Sequence, residues 1–229
     1  MAKPASRAAL PTICAGNFHA PATRRNAFTL LVVRRRGAAI VVAVAKEWVG
    51  TSDVPLRTKD VMREIALTCR DYGVTSVATD QYLADSLRSD IADMQDDNGK
   101  PLRLNVVEWT ISGEGKAKRA LKFRDMLSDA RVELARTQTW TATRGWHESS
   151  HLALDLRRVR RTPTPSGIAV KLPQTPDGRH CDFWPPMMMA MGAYLADPRP
   201  TTETEAEREA RRMREQAEKR FAPRREEDW

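Results

Sequence analysis

The hydrophobic pattern changes period after residue 50, and this change constrains the fold more than any other feature. Before it stand three apolar runs, Ile13 to Gly16, Phe28 to Val33 and Ala38 to Trp48. Val-, Ile- and Phe-rich runs bounded by turn residues read as strands. The short connections between them predict an antiparallel meander, with Arg34-Arg35-Arg36-Gly37 as a basic turn. From Thr58 the apolar residues Val61, Met62, Ile65, Ala66 and Cys69 recur at helical spacing, and Gly73 stands where a helix would stop. A strand over Val74 to Ala78, a helix carrying Leu83, Leu87, Ile91 and Met94 on one face, and a strand over Leu102 to Trp109 follow. The order β-β-β-α-β-α-β predicts an α/β domain with a mixed five-stranded sheet and helices on both faces.

Further along, a helix from Gly115 to Leu127 carries Lys116, Lys118, Arg119, Lys122 and Arg124. A second runs through Leu152, Leu156 and Val159. His147 and His151 stand four residues apart on this predicted helical stretch, but no third ligand follows at a metal-binding spacing. Thr162 to Gly167, with two prolines, breaks the chain before a strand at Ile168 to Leu172. The last core helix begins at Pro185-Pro186, and its Met187 to Met191 run reads as core filler, because flexible thioethers fit irregular gaps. Residues 201–229 alternate acids and bases, with Glu207/Arg211 and Glu215/Lys219 at i,i+4. The expected organisation is a disordered lead-in at 1–11, one domain at 12–200 and a charged helical tail at 201–229.

A chain of 229 residues holds one full core. Its 38 Lys and Arg against 30 Asp and Glu give a net charge of +8, which attracts polyanions and makes nucleic acid the first partner to consider. No apolar run approaches the ~18 residues of a membrane span, and no signal-peptide core is visible near Met1. The cytoplasm is therefore the expected compartment, and three widely spaced cysteines are expected to be reduced. The sequence contains no P-loop, Rossmann fingerprint, nucleophile elbow or His-Glu-x-x-His pair.

Two acids stand at element junctions. Asp80 follows an apolar strand directly, at the end where α/β sheets present functional groups, and a helix N-cap accounts equally well for it. Asp182 closes Asp177-Gly178-Arg179-His180-Cys181-Asp182 just before the apolar helix, and the same two readings apply.

Together these pieces resemble the RNase H-like nuclease domain of phage terminase large subunits. The resemblance rests on Glu47-Trp48-Val49-Gly50, on Tyr72-Gly73-Val74 leading to Thr79-Asp80-Gln81, on Leu156-Arg157-Arg158-Val159-Arg160-Arg161, and on Asp177 through Phe183. It covers Ile13 to Asp197. It implies a two-metal endonuclease that cuts concatemeric double-stranded DNA during packaging, with Mg²⁺ or Mn²⁺ held by carboxylates. By position, Asp80 resembles the family's acid after the fourth strand and Asp182 its late one, which makes both candidate metal ligands and catalytic residues. Cys14 stands where the family's first-strand aspartate is expected. Lys116, Lys118, Arg158, Arg160, Arg161 and Arg179 are the candidate phosphate contacts. The implied partners are double-stranded DNA, a terminase ATPase domain or small subunit, and the portal protein. The alternatives are a catalytically impaired protein of this fold that binds DNA or the portal, and another RNase H-like nuclease such as a resolvase.

Overall fold

The computed structural model describes residues 12–16, 27–51, 53–79, 81–109, 113–164, 167–174 and 180–196. The chain divides into two units, Met1–Pro198 and Arg199–Trp229, and the second lies outside the described residues, as does the expected charged tail.

The first unit is built on β2 (Ala27–Arg36) and β3 (Ala39–Val49). Ala27 to Val33 are all buried, as expected of a central strand covered on both faces. A two-residue turn, Gly37-Ala38, joins the strands, and Gly37 takes φ 60°. Tight hairpins favour such a conformation, and glycine adopts it without steric cost. The arginine run expected as a turn is therefore the end of β2. β1 (Thr12–Gly16) pairs antiparallel with β2 and parallel with β4 (Ser76–Thr79), which pairs parallel with β5 (Asn105–Glu108).

These five strands make the mixed sheet in the order β5-β4-β1-β2-β3. The sheet extends further than the sequence implied. β6 (Val132–Glu133) and β7 (Thr137–Thr141) add parallel to β3, and β8 (Gly145–Ser149) adds antiparallel to β7, giving eight strands. A separate ribbon joins β9 (Arg160–Thr164) to β10 (Gly167–Lys171). Its Pro163 is tolerated because a two-stranded ribbon has only edges.

Helices cover both faces. α1 (Thr58–Asp71) and α2 (Gln81–Ala92) pack Met62, Ile65, Cys69, Leu87 and Ile91 against Leu30, Val32 and Val77. α1 ends in a Schellman arrangement, with Val74 N–H on Cys69 C=O, Gly73 N–H on Arg70 C=O, and Gly73 at φ 67°. Burial pushes the Cys69 thiol up to about 12, so it stays protonated. On the other face lie α3 (Gly113–Ser128), α4 (His151–Arg158) and α5 (Trp184–Ala196). Their Phe123, Met126, Leu152 and Met187 to Met191 meet Leu31, Val33, Ile40 and Ala78, so the methionine run is core. Among the described residues no helix is long and apolar enough to cross a membrane.

Candidate active site

The pairing directions bring the C-terminal ends of β1, β3, β4, β5 and β7 to one edge of the sheet. Near that edge a single row runs Ala15, Thr29, Glu47, Thr139, His147 across five strands. Glu47 is completely buried, and a buried carboxylate must be hydrogen-bonded. Thr139 Oγ1 donates to Glu47 Oε2 at 3.1 Å, and His151 Nδ1 donates to the same oxygen at 2.5 Å. Ser149 Oγ, 2.8 Å from Thr139 Oγ1, accepts the His151 N–H, and Thr137 Oγ1 accepts the Leu152 N–H. The first amides of α4 are thus satisfied by hydroxyls of β7 and β8, since Ser150 makes no side-chain cap. Glu47→Gln keeps the shape but loses the charge-assisted contact with His151. The expected cost is about 1.5–3 kcal/mol, measured as a lower denaturant midpoint at unchanged m-value.

Asp182 sits on the same face. Thr29 Oγ1 donates to its carbonyl at 3.0 Å, and the Phe183 N–H donates to Asp155 Oδ2 at 3.2 Å. The 181–184 turn is thereby pinned to β2 on one side and α4 on the other. Asp155 is fully buried and Asp182 is 3% exposed, so three buried carboxylates gather on one face of the sheet. Two of them have bonds that fasten the fold: Glu47 holds β7 and α4, and Asp155 holds the turn. Asp182 is fixed through its backbone at the entrance of α5, and as an oxygen donor it suits a hard divalent cation. Among the described residues no three His, Cys, Asp or Glu side chains converge as a metal site. Asp80, which follows the last residue of β4, lies outside the described residues, as does Arg179.

The remaining predicted residues fall as follows. Cys14 pairs with Leu30, a residue of the α1–α2 core, whereas Ala15 pairs with Thr29. Lys116 and Lys118 are exposed on α3, and Arg160 and Arg161 are exposed on β9. Arg158 ends α4, where a cation suits the helix dipole. Because β10 packs against α3, the ribbon and α3 bring two basic groups onto neighbouring elements. Arg34 to Arg36 lie at the opposite edge of the sheet, where Arg36 pairs with Glu133 and Arg35 stacks 4.6 Å over Tyr194. His147 and His151 do not share a helix: His147 is on β8 and His151 opens α4. Cys181 donates its thiol hydrogen to Pro173 C=O, and Gln174 Nε2 donates to His180 Nε2. The sequence reading missed Glu47, His151 and Asp155 as parts of the site. A glutamate inside the Val- and Ala-rich β3 was the available signal.

No family model matches the chain, and no curated protein sequence matches it. Solved structures do. The HK97 bacteriophage large terminase superposes with a TM-score of 0.54 at 14% identity, over 82% of this chain and 40% of that one. The nuclease domain of the large terminase subunit of bacterial virus Sf6 gives 0.47 at 12% identity, over 79% of this chain and 87% of that domain. The human cytomegalovirus terminase nuclease domain gives 0.44 at 13% identity, over 85% and 86%. The chain therefore shares its fold, a mixed sheet flanked by helices, with part of the HK97 large terminase. It spans less than half the length of the HK97 protein it matches.

Proposed function

We propose that the chain is a divalent-metal-dependent endonuclease that cuts concatemeric double-stranded DNA in phage packaging. The observation that carries this reading is Asp182, a buried acid in a turn whose backbone is pinned by Thr29 and Asp155 near the carboxyl edge of the sheet. Asp182 and Asp80 are its metal ligands, and Mg²⁺ or Mn²⁺ its cofactor. When bound, such ions polarise the phosphodiester and activate water. The chain's own part is to hold Asp182 rigidly, to keep water from the core side of the turn, and to seat DNA phosphates. Lys116, Lys118, Arg158, Arg160, Arg161 and Arg179 do the last, a role that positions DNA without reading its sequence. The partners of this reading are an ATPase domain or small subunit and the portal protein, in the host-cell cytoplasm.

The sequence of β1, Thr-Ile-Cys-Ala-Gly, contains no acid, and this favours a second reading: a DNA- or portal-binding protein of the same fold that has lost cleavage. Supercoiled plasmid incubated with the full chain separates the two. Nicking with Mn²⁺ or Mg²⁺ that stops on chelation supports the nuclease. Duplex that is bound but stays intact with either metal supports the binding protein. In both cases affinity for random duplex is expected to fall steeply with salt, with a log–log slope of about −0.9 per phosphate contacted. Affinity unchanged between low and moderate salt would remove nucleic acid from the account.

A further inference from the structure

One cation of α3 differs from its neighbours. Lys116 and Lys118 are exposed, whereas Arg119 lies at the margin of the helix's buried face, beside Ala120 and one turn before Phe123. Its guanidinium carbon is 5.4 Å from the centre of the Trp109 ring. Against both groups lies α5 at Gly192, where an added Cβ would come within 2.8 Å of that carbon and 2.6 Å of the Trp109 ring. Only glycine lets the three groups approach this closely. Arg119 Nη1 is buried with no hydrogen-bond partner among the described residues, and burial lowers the pKa of the group. Arg131, also half-buried, has an acid partner in Asp129. Among the described residues Arg119 has no ion-pair partner.

We propose that Arg119, framed by Trp109 and Gly192, is a binding site for a phosphate group, and that the phosphate belongs to the DNA backbone. Identifying the anion as DNA rests on the nucleic-acid reading above; the anion site itself does not. A guanidinium fixed by an indole and a helix backbone loses little freedom on binding, and its planar fork matches phosphate oxygens. Trp109 follows β5 at the carboxyl edge, and its N–H donates to Thr79 C=O, the last residue of β4. Gly192 lies two turns into α5, roughly 12 Å along the helix from its start beside Asp182. A duplex bound at Asp182 carries a phosphate charge about every 1.7 Å of its axis, so it has others within that distance. Lys116 and Lys122, at i−3 and i+3, flank Arg119 along α3 and extend the track.

The test uses the full chain in EDTA, so that binding is read without cleavage. Inorganic phosphate is expected to raise the melting temperature of the parent chain and not that of Arg119→Gln. Duplex affinity is expected to fall about tenfold in Arg119→Gln, with the salt slope smaller by about 0.9. Arg119→Lys should recover only part of the affinity, and Gly192→Ala, which keeps the charge but pushes the guanidinium aside, should resemble Arg119→Gln. If Arg119→Gln binds duplex like the parent while Lys116→Gln does not, the DNA role of Arg119 is overturned and the DNA reading stands. If the parent binds phosphate through Arg119 but no duplex, the site is for another phosphate and the DNA reading falls. Equal phosphate stabilisation of parent and Arg119→Gln overturns the site altogether.

Discussion

Asp182→Asn is expected to leave the chain folded and to lower metal-dependent cleavage at least about 100-fold, close to 2.7 kcal/mol of barrier. The two effects separate because different atoms carry them. The turn is fastened by the Asp182 carbonyl, which accepts from Thr29, and by the Phe183 amide, which donates to Asp155. Asparagine preserves both contacts and nearly the same volume. What it removes is the negative charge and one anionic oxygen, which a hard cation needs. The melting temperature should shift by no more than ~2–4 °C, the effect of about 1 kcal/mol in a domain of this size. By contrast, Asp155→Asn should loosen the turn and act mainly on stability. Cleavage that survives in Asp182→Asn would place the reaction elsewhere, and unfolding would make Asp182 a structural residue.

The second large effect concerns β1, which has no carboxylate. Successive residues of a strand alternate between the two faces of its sheet. Ala15 is in register with Thr29 and through it with Glu47, while Cys14 is in register with Leu30. Ala15 is thus in register with Thr29, whose hydroxyl donates to the Asp182 carbonyl, and an acid introduced at Ala15 should raise Mn²⁺-supported nicking at least tenfold, equivalent to ~1.4 kcal/mol. Cys14→Asp, one residue away and in register with Leu30 of the α1–α2 core, is expected to cost stability without any gain in rate. A rise in rate for Cys14→Asp alone would show that the register of β1 differs from that described.

Much of this frame is legible from local pattern. β2 and β3 are long runs of branched residues, and α1 has an unbroken stripe ending at Gly73. Each of these is specified by residues close in sequence. β7 and β8, Thr-Gln-Thr-Trp-Thr and Gly-Trp-His-Glu-Ser, show little apolar alternation. They become strands because β3 offers β7 an edge and Trp146 packs edge-on at 5.5 Å against Trp48, contacts that no local window contains. The same holds for the polar cluster. Glu47 meets Thr139 across 92 residues and His151 across 104, so no spacing in the sequence announces the pair. Two histidines four apart suggested a helix face, yet a β-strand ends and a helix begins between them. Asp182 was legible as a position, an acid before an apolar helix. That the fold grips its backbone required Thr29 and Asp155 to be seen beside it.

The most direct test of the central claim is a Mn²⁺ titration of the full chain followed by electron paramagnetic resonance, run in parallel on Asp182→Asn, with no DNA present. The account predicts that the parent removes Mn²⁺ from the free-ion signal in stoichiometric amounts and that Asp182→Asn, folded to the same extent by circular dichroism, does so at least tenfold more weakly. Equal Mn²⁺ uptake by the two proteins, or none by the parent at millimolar ion, would contradict it.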